Sequence, residues 1–244
     1  MDWYSNWFNR DYLRLYAHRN RESAAAEVAW VVGQVRTLEG KILDIGCGAG
    51  RHLAALQDYA KTVFGADLSL ELLNACQPEI RAPHGAVSLI CADMRRLPFP
   101  DRTFQLVTSF FTSFGYFATD DEHRALLSEW RRVVAGGGTL FLDYLNKELV
   151  ESTLRPTSER RLDGCVIIEQ RYFTSDGLRL VKDIQIDDGT AVRTYQESVR
   201  VYSREMLEIM LGEAGFRDLR IFGDFTGQPH SASSKRLLVF ASAE

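Results

Sequence analysis

The sequence predicts an α/β fold: a parallel sheet covered by helices on both faces, with antiparallel strands inserted late in the chain. Three observations predict it. From Glu22 to Gly138, short apolar runs alternate with segments of helical periodicity, the pattern of repeated strand–helix units. One apolar run passes directly into a glycine turn, "ILDIGCGAGRH" at residues 42–52. After Asn146 the pattern changes to charged, β-prone runs separated by "SDG" (175–177) and "DDG" (187–189), both hairpin turns.

Each element has its own justification. Val28, Val31, Val32 and Val35 recur at helical spacing and predict a helix over 22–37. Gly40 closes the connection, and "KILDIG" is a short buried strand. A helix runs from Arg51 to about Tyr59. "TVFGAD" (62–67) is the second strand, 70–76 a short helix before Pro78, and "VSLICAD" (87–93) the third strand. "PFPDRTF" (98–104) is turn chemistry ahead of a fourth strand, "FQLVTSF" (104–110). Thr119 and Glu122 stand at capping-box spacing, before a helix that gathers Leu126, Leu127, Trp130, Val133 and Val134 on one face. "GGG" (136–138) ends that helix and "TLFLDY" (139–144) is the fifth strand. Residues 165–173, 178–187 and 191–202 form three antiparallel strands, whose charges leave one face wet or lining a cavity. "RPTSERR" (155–161) reads as a solvated loop. Ser203 caps a last helix bearing Leu207, Met210, Leu211 and Ala214 and ended by Gly215. "DLRIFGDF" (218–225) and "KRLLVFAS" (235–242) close the chain as an antiparallel pair.

The organisation is one domain over 1–244: an aromatic N-terminal segment (1–21), a core (22–146), the antiparallel insertion (147–202), and a terminal helix and hairpin (203–244). Such a length buries a core without staples. The chain is 45% hydrophobic and 25% charged, and no run reaches the roughly 18 apolar residues of a membrane span. Cys47, Cys76, Cys91 and Cys165 form no CxxC pair, so the pattern points to a reduced, cytoplasmic protein without a metal site. A net charge of −4 gives no support to a nucleic-acid partner.

The glycine turn carries the chemistry. A strand that enters a glycine turn and then a helix aims backbone N–H groups at a ligand, and glycine lets that ligand approach the main chain. Gly46, Gly48 and Gly50 give GxGxG, and Arg51 stands next. This is neither the GxGxxG of a dinucleotide site nor a P-loop. It suits a ligand without pyrophosphate. Asp44 would hold the amino group of a zwitterion, directly or through water. Asp67 ends the second strand, where an acid pairs with ribose hydroxyls. Asp93 ends the third strand, placed to accept from an adenine amino group, with Met94 packing on the ring. Three acids at the carboxyl ends of successive strands mark the ligand edge of an open α/β sheet.

With these residues the chain resembles a class I S-adenosylmethionine-dependent methyltransferase. "ILDIGCGAGRH" resembles the first motif of that family, "GADLS" (65–69) its ribose motif and "CADMRRLPF" (91–99) its adenine motif. "FQLVTSFFTSFGYF" (104–117) is similar to the fourth motif, and "EWRRVVAGGGTLFLDY" (129–144) to the helix and strand that follow. The resemblance covers roughly residues 20–145. It implies a Rossmann-like seven-stranded sheet of order 3-2-1-4-5-7-6, S-adenosyl-L-methionine as cofactor and S-adenosyl-L-homocysteine as product. It places Asp44, Gly46, Cys47, Gly48, Gly50, Asp67, Leu68, Asp93, Met94, Ser109 and Phe110 at the cofactor, and Arg19 on its carboxylate.

Within the family, the nearest resemblance is to small-molecule N-methyltransferases of amino sugars and of glycine, which share the antiparallel insertion and an aromatic N-terminal segment that closes over the site. "SFFTSFGYF" (109–117) has no proline, unlike enzymes of the family that methylate base amino groups. Amino-sugar enzymes tend to carry His where this chain has Tyr116, so an imidazole base is not expected. The expectation is methyl transfer to a nitrogen or oxygen of a small molecule, with Tyr16 and Tyr116 as catalytic candidates. Tyr12, Tyr144, Asn146, Arg171, Arg200 and His230 are the candidate substrate contacts. Trp3, Tyr4, Trp7, Phe8, Tyr12 and Tyr16 form either a closing segment or a helix packed on the core. The alternatives are an RNA or protein methyltransferase and a cofactor-binding relative without catalysis. No membrane partner is expected, and the oligomeric state is monomer or homodimer.

Overall fold

The structure, a computed structural model, describes residues 2–17, 21–76, 80 and 86–244. Arg19 and Pro78 lie outside the described residues. The chain opens with two short helices, α1 (Trp3–Trp7) and α2 (Arg10–Leu15), followed by α3 (Arg21–Gln34). Strand β1 (Lys41–Ile45), helix α4 (Leu53–Leu56), strand β2 (Thr62–Asp67), helix α5 (Leu70–Asn74) and strand β3 (Ala86–Cys91) come next. Then follow β4 (Phe104–Ser109), α6 (Asp120–Val133), β5 (Val134–Leu145) and α7 (Lys147–Thr153). The insertion is β6 (Thr157–Leu162), β7 (Cys165–Phe173), β8 (Arg179–Asp187) and β9 (Val192–Arg200). Helix α8 (Arg204–Glu213), β10 (Phe216–Phe222) and β11 (Arg236–Ala243) close the chain.

The main sheet has the order β3-β2-β1-β4-β5-β11-β10. Strands β1 to β5 are parallel, and β11 runs antiparallel to both β5 and β10. Counted within this sheet alone, the order is the expected 3-2-1-4-5-7-6. Strand alternation divides the core. Ile42, Leu106, Phe141, Leu238 and Phe240 pack on the side of Val28 and Val31 of α3. Their neighbours Leu43, Val107, Leu142, Leu237 and Val239 pack on the side of Trp130 of α6 and Leu211 of α8. Near-continuous apolar strands are what a sheet covered on both faces requires.

The predicted capping box opens α6. Thr119 Oγ1 accepts the Glu122 N–H at 3.2 Å, and the Glu122 carboxylate accepts the Thr119 N–H at 3.0 Å. The glycines after this helix do not sit where expected. Pairing of β4 with β5 jumps from Phe104↔Val134 to Leu106↔Thr139. Gly136–Gly138 thus form a bulge within β5, with Gly137 at φ 70°.

The segment "RPTSERR" is not a loop but contributes the edge strand β6. Leu162 pairs with Cys165 across Asp163 and Gly164, whose φ angles are 48° and 82°. Positive φ at both central residues defines a tight hairpin turn matched to strand twist. The inserted sheet, β6-β7-β8-β9, buries Cys165, Ile167, Ile184 and Ile186 against Trp7 and Leu15 of the N-terminal helices. No helix among the described residues is long and apolar enough to cross a membrane.

Replacing Thr119 with Ala removes one half of the capping box and is expected to cost about 1 kcal/mol in urea unfolding. An unchanged midpoint would show that Glu122 alone caps α6.

Candidate active site

A cavity of about 790 Å³ lies at the carboxyl ends of β1, β2, β3 and β4. Its floor is formed by the loops that leave those strands, and its roof by side chains between Tyr4 and Ala17 together with Tyr116. The volume falls in the range of small-ligand sites.

The floor begins with the glycine turn. Gly46, Gly48 and Gly50 have φ of 70°, 54° and 77°. A Cβ on Gly46 would stand 2.6 Å from Ser113 Oγ, so both conformation and space demand glycine there. The N–H groups of Gly46 and Cys47 donate to the Ala66 carbonyl at 2.8 and 3.2 Å, which ties the turn to β2. The Gly48 N–H donates to Asp67 Oδ2 at 2.8 Å, and the Ser69 N–H donates to Asp67 Oδ1 at 2.8 Å. Burial raises the Asp67 carboxyl above its ordinary value, against the pull of these donors.

Asp44 stands behind the turn rather than on the cavity wall. It is buried and accepts from Thr108 Oγ1 at 2.8 Å. Burial pushes its carboxyl up to about 7, with Thr108 and the nearby Arg51 charge opposing. Gly50 and Ser109 likewise do not line the cavity, whereas Cys47, Leu68, Asp93, Met94 and Phe110 do. Burial drives the Cys47 thiol up, so it offers no thiolate. Asp93 is clasped by Arg95, with Nη2 at 2.7 Å and the backbone N–H at 2.9 Å. Burial raises Asp93, but the hydrogen bonds and charge of Arg95 outweigh it and hold the carboxyl below its ordinary range. His52 stacks on Phe110 at 3.8 Å and contacts Glu27 Oε2 at 2.7 Å. Burial lowers the imidazole despite Glu27, which keeps it neutral near pH 7.

The roof is aromatic. Tyr116, from the loop after β4, lies edge-on to Trp3 at 4.8 Å and near Phe8 at 5.8 Å. Tyr12 packs between Phe8 and Tyr16, at 5.0 and 4.9 Å. Tyr12, Tyr16 and Tyr116 all line the cavity. The Tyr16 hydroxyl donates to Glu197 Oε1 at 2.8 Å and accepts from Lys182 Nζ. Lys182 and Glu197 face each other across β8 and β9 and pair at 2.5 Å. Trp7 Nε1 donates to the same Glu197 oxygen at 2.7 Å. Ser69 Oγ donates to the Phe8 carbonyl at 2.6 Å, which joins roof to floor.

Five expected substrate contacts stand outside the cavity. Tyr144 is fully buried in the core, and its hydroxyl donates to the Arg200 carbonyl. Asn146 spends its amide on the carbonyls of Ser231, Ala232 and Ser234. Arg200 is buried on Asp120 at 2.8 Å and on the Leu178 and Val201 carbonyls. Arg171 pairs with Glu169 and Ser158 within the inserted sheet. His230 lies in the loop between β10 and β11. No residue of 147–202 lines the cavity, so the inserted sheet backs the roof and does not enclose a ligand itself. Phe111 and Ser113, within 109–117, also line the wall, and so does Arg51, to which the sequence assigned no contact. Their only sequence signal is proximity to the glycine turn and to the end of β4.

A glycine cradle at β1, an acid at the tip of β2 and a roofed cavity beyond them define a nucleotide-type site at the ligand edge of a Rossmann-like sheet. Residues 42–138 match the family model described as a methyltransferase domain, and this stretch of the chain is a methyltransferase domain. It is 28% identical over 225 residues to the cypemycin N-terminal methyltransferase of a Streptomyces species, covering 88% of each chain. Its fold is similar to that of an S-adenosylmethionine-dependent methyltransferase from Clostridium acetobutylicum ATCC 824, with a TM-score of 0.81, 18% identity and 96% of each chain covered. It is also similar to S-adenosylmethionine-bound CalS10, an amino pentose methyltransferase from Micromonospora echinaspora, with a TM-score of 0.69, 24% identity and 96% of each chain covered. The cradle, Asp67 and the cavity volume fit S-adenosylmethionine, the molecule bound in CalS10.

A carboxyl raised on folding favours the folded state while protonated, and that contribution is lost as pH rises from its unfolded value through its folded one. The ligand-free Asp44→Asn variant should therefore gain melting temperature over the parent as pH rises from about 4 to about 7. A pH-independent difference between the two would exclude Asp44 as a raised carboxyl.

Proposed function

We propose that the protein methylates a nitrogen or oxygen of a small molecule held between Tyr12, Tyr16 and Tyr116 and the loop after β4. The observation that carries this reading is the aromatic roof: three tyrosines face a cavity that continues to the cradle and Asp67. When bound, the cofactor supplies an electrophilic methyl group on a sulfonium. Asp67 would hold its ribose hydroxyls, Leu68 and Met94 its adenine ring, and Asp93 the adenine amino group. The roof excludes water and restricts the acceptor to one approach, which are the main contributions a protein makes to such a displacement.

Tyr16 is the residue best placed to orient the acceptor. Its proton is committed to Glu197 and one lone pair to Lys182. Set at the cavity wall by those two bonds, the Tyr16 hydroxyl orients the nucleophile of the acceptor toward the methyl group. Two similar proteins, an amino pentose methyltransferase and an N-terminal methyltransferase, support nitrogen. A roofed cavity supports a small acceptor over a folded RNA or protein. The free cysteines Cys47, Cys76, Cys91 and Cys165 support a reducing, cytoplasmic setting.

Calorimetry should find S-adenosylhomocysteine bound by the parent and weakened at least about tenfold by Asp67→Ala. Failure of the parent to bind sinks the reading. Incubation with metabolite extracts and S-adenosylmethionine, read by mass spectrometry, should reveal a product that has gained a methyl group. Tyr16→Phe should then lower kcat while S-adenosylhomocysteine affinity stays at the parental level. Unchanged turnover removes Tyr16 from the mechanism.

A further inference from the structure

The loop after β4 holds a left-handed conformation on the cavity wall. Phe111 and Thr112 have φ of 60° and 61°. This left-handed region is costly for bulky and β-branched side chains. Asp143 of β5 enforces it. Its carboxylate accepts the Phe111 N–H at 2.8 Å, and its carbonyl accepts the Thr112 N–H at 2.8 Å. Arg236 of β11 pins the same carboxylate at 2.6 Å and reaches Thr112 Oγ1 at 3.2 Å. The Phe111 ring is 39% exposed on the cavity wall, with the Arg236 guanidinium over it at 5.1 Å.

The guanidinium of Arg51 lies over that ring, 5.2 Å from its centroid. Arg51 leaves the glycine turn at its third glycine, and its charge acts on buried Asp44. It lines the cavity beside the glycine turn, where the amino-acid portion of the cofactor would lie. That portion carries a carboxylate and needs a cation. Among the described residues lining the cavity, Arg51 supplies the one guanidinium and no lysine is present. His52 is buried, stacked on Phe110 and engaged with Glu27.

We propose that Arg51, seated on the Phe111 ring, binds the carboxylate of the cofactor's amino-acid portion. This rests on the methyltransferase reading and gives Arg51 the part expected of Arg19. A guanidinium pairs with a carboxylate through two parallel N–H···O bonds, which a lysine does not reproduce.

The test compares two nucleosides by calorimetry on the full chain. S-adenosylhomocysteine carries the carboxylate, and 5′-methylthioadenosine lacks the whole amino-acid portion. Arg51→Met should weaken S-adenosylhomocysteine by about tenfold to a hundredfold, with Arg51→Lys between it and the parent. Methylthioadenosine should bind parent and both variants alike, which also shows that the variants are folded. Equal S-adenosylhomocysteine affinity in parent and Arg51→Met overturns the proposal and leaves the methyltransferase reading intact. So does an equal loss for both nucleosides, or a carboxylate-specific loss seen only in Arg19→Met. If the parent binds neither nucleoside, the methyltransferase reading itself is overturned.

Discussion

The carboxylate of Asp67 accepts the N–H groups of Gly48 and Ser69, and the geometry of the whole site follows from that pair of bonds. They join the loop after β1 to the loop after β2. Ser69 then passes the connection on through its hydroxyl, which holds the Phe8 carbonyl. Phe8 carries Tyr12 and approaches Tyr116. One acid at a strand tip thus sets the spacing between the cradle, the roof and the loop after β4. Oriented backbone dipoles support its charge, although burial still holds the carboxyl above its ordinary value.

The inserted sheet reaches the site through two sets of contacts. Above, Lys182 and Glu197 fix Tyr16 and Trp7. Below, Arg179 donates to the carbonyls of Phe117 and Tyr116, and the Arg200 N–H donates to the Gly115 carbonyl at 2.7 Å. The same sheet therefore sets the height of the roof and the course of the loop beneath it, without a side chain of its own on the wall. Its charged residues, which suggest a wet cavity face, are spent on this scaffolding.

The main sheet and its order were legible because apolar strands with helical spacers leave few arrangements. Thr119, Glu122 and Ser203 marked their helix starts by local hydrogen bonding that the sequence spells out. The floor of the site was legible for the same reason: the glycine turn and the acids at strand tips are local features. What failed was long-range. Tyr144, Asn146 and Arg200 sit at the expected edge, but whether each side chain faces ligand or neighbour depends on partners roughly 56 to 88 residues away. The strand β6 was hidden by its charges, although Asp163–Gly164 is a hairpin signal in its own right. The left-handed pair Phe111–Thr112 leaves no mark in the sequence, because Asp143 and Arg236 impose it from other strands.

The roof is attached unequally along its two edges. Toward the inserted sheet, Trp7 and Leu15 are fully buried among isoleucines, and Glu197 holds Trp7 and Tyr16. Toward α5, the hydrogen bonds among the described residues are the Ser69–Phe8 bond and the exposed Arg10–Glu71 contact. Apolar burial resists separation far better than exposed polar contacts do. Thermal opening therefore begins on the α5 side, as a door swings from its fixed jamb. That side faces Asp67 and Leu68, so the strand-tip end of the cavity is the threshold for exchange, while the tyrosines at the hinge stay shut.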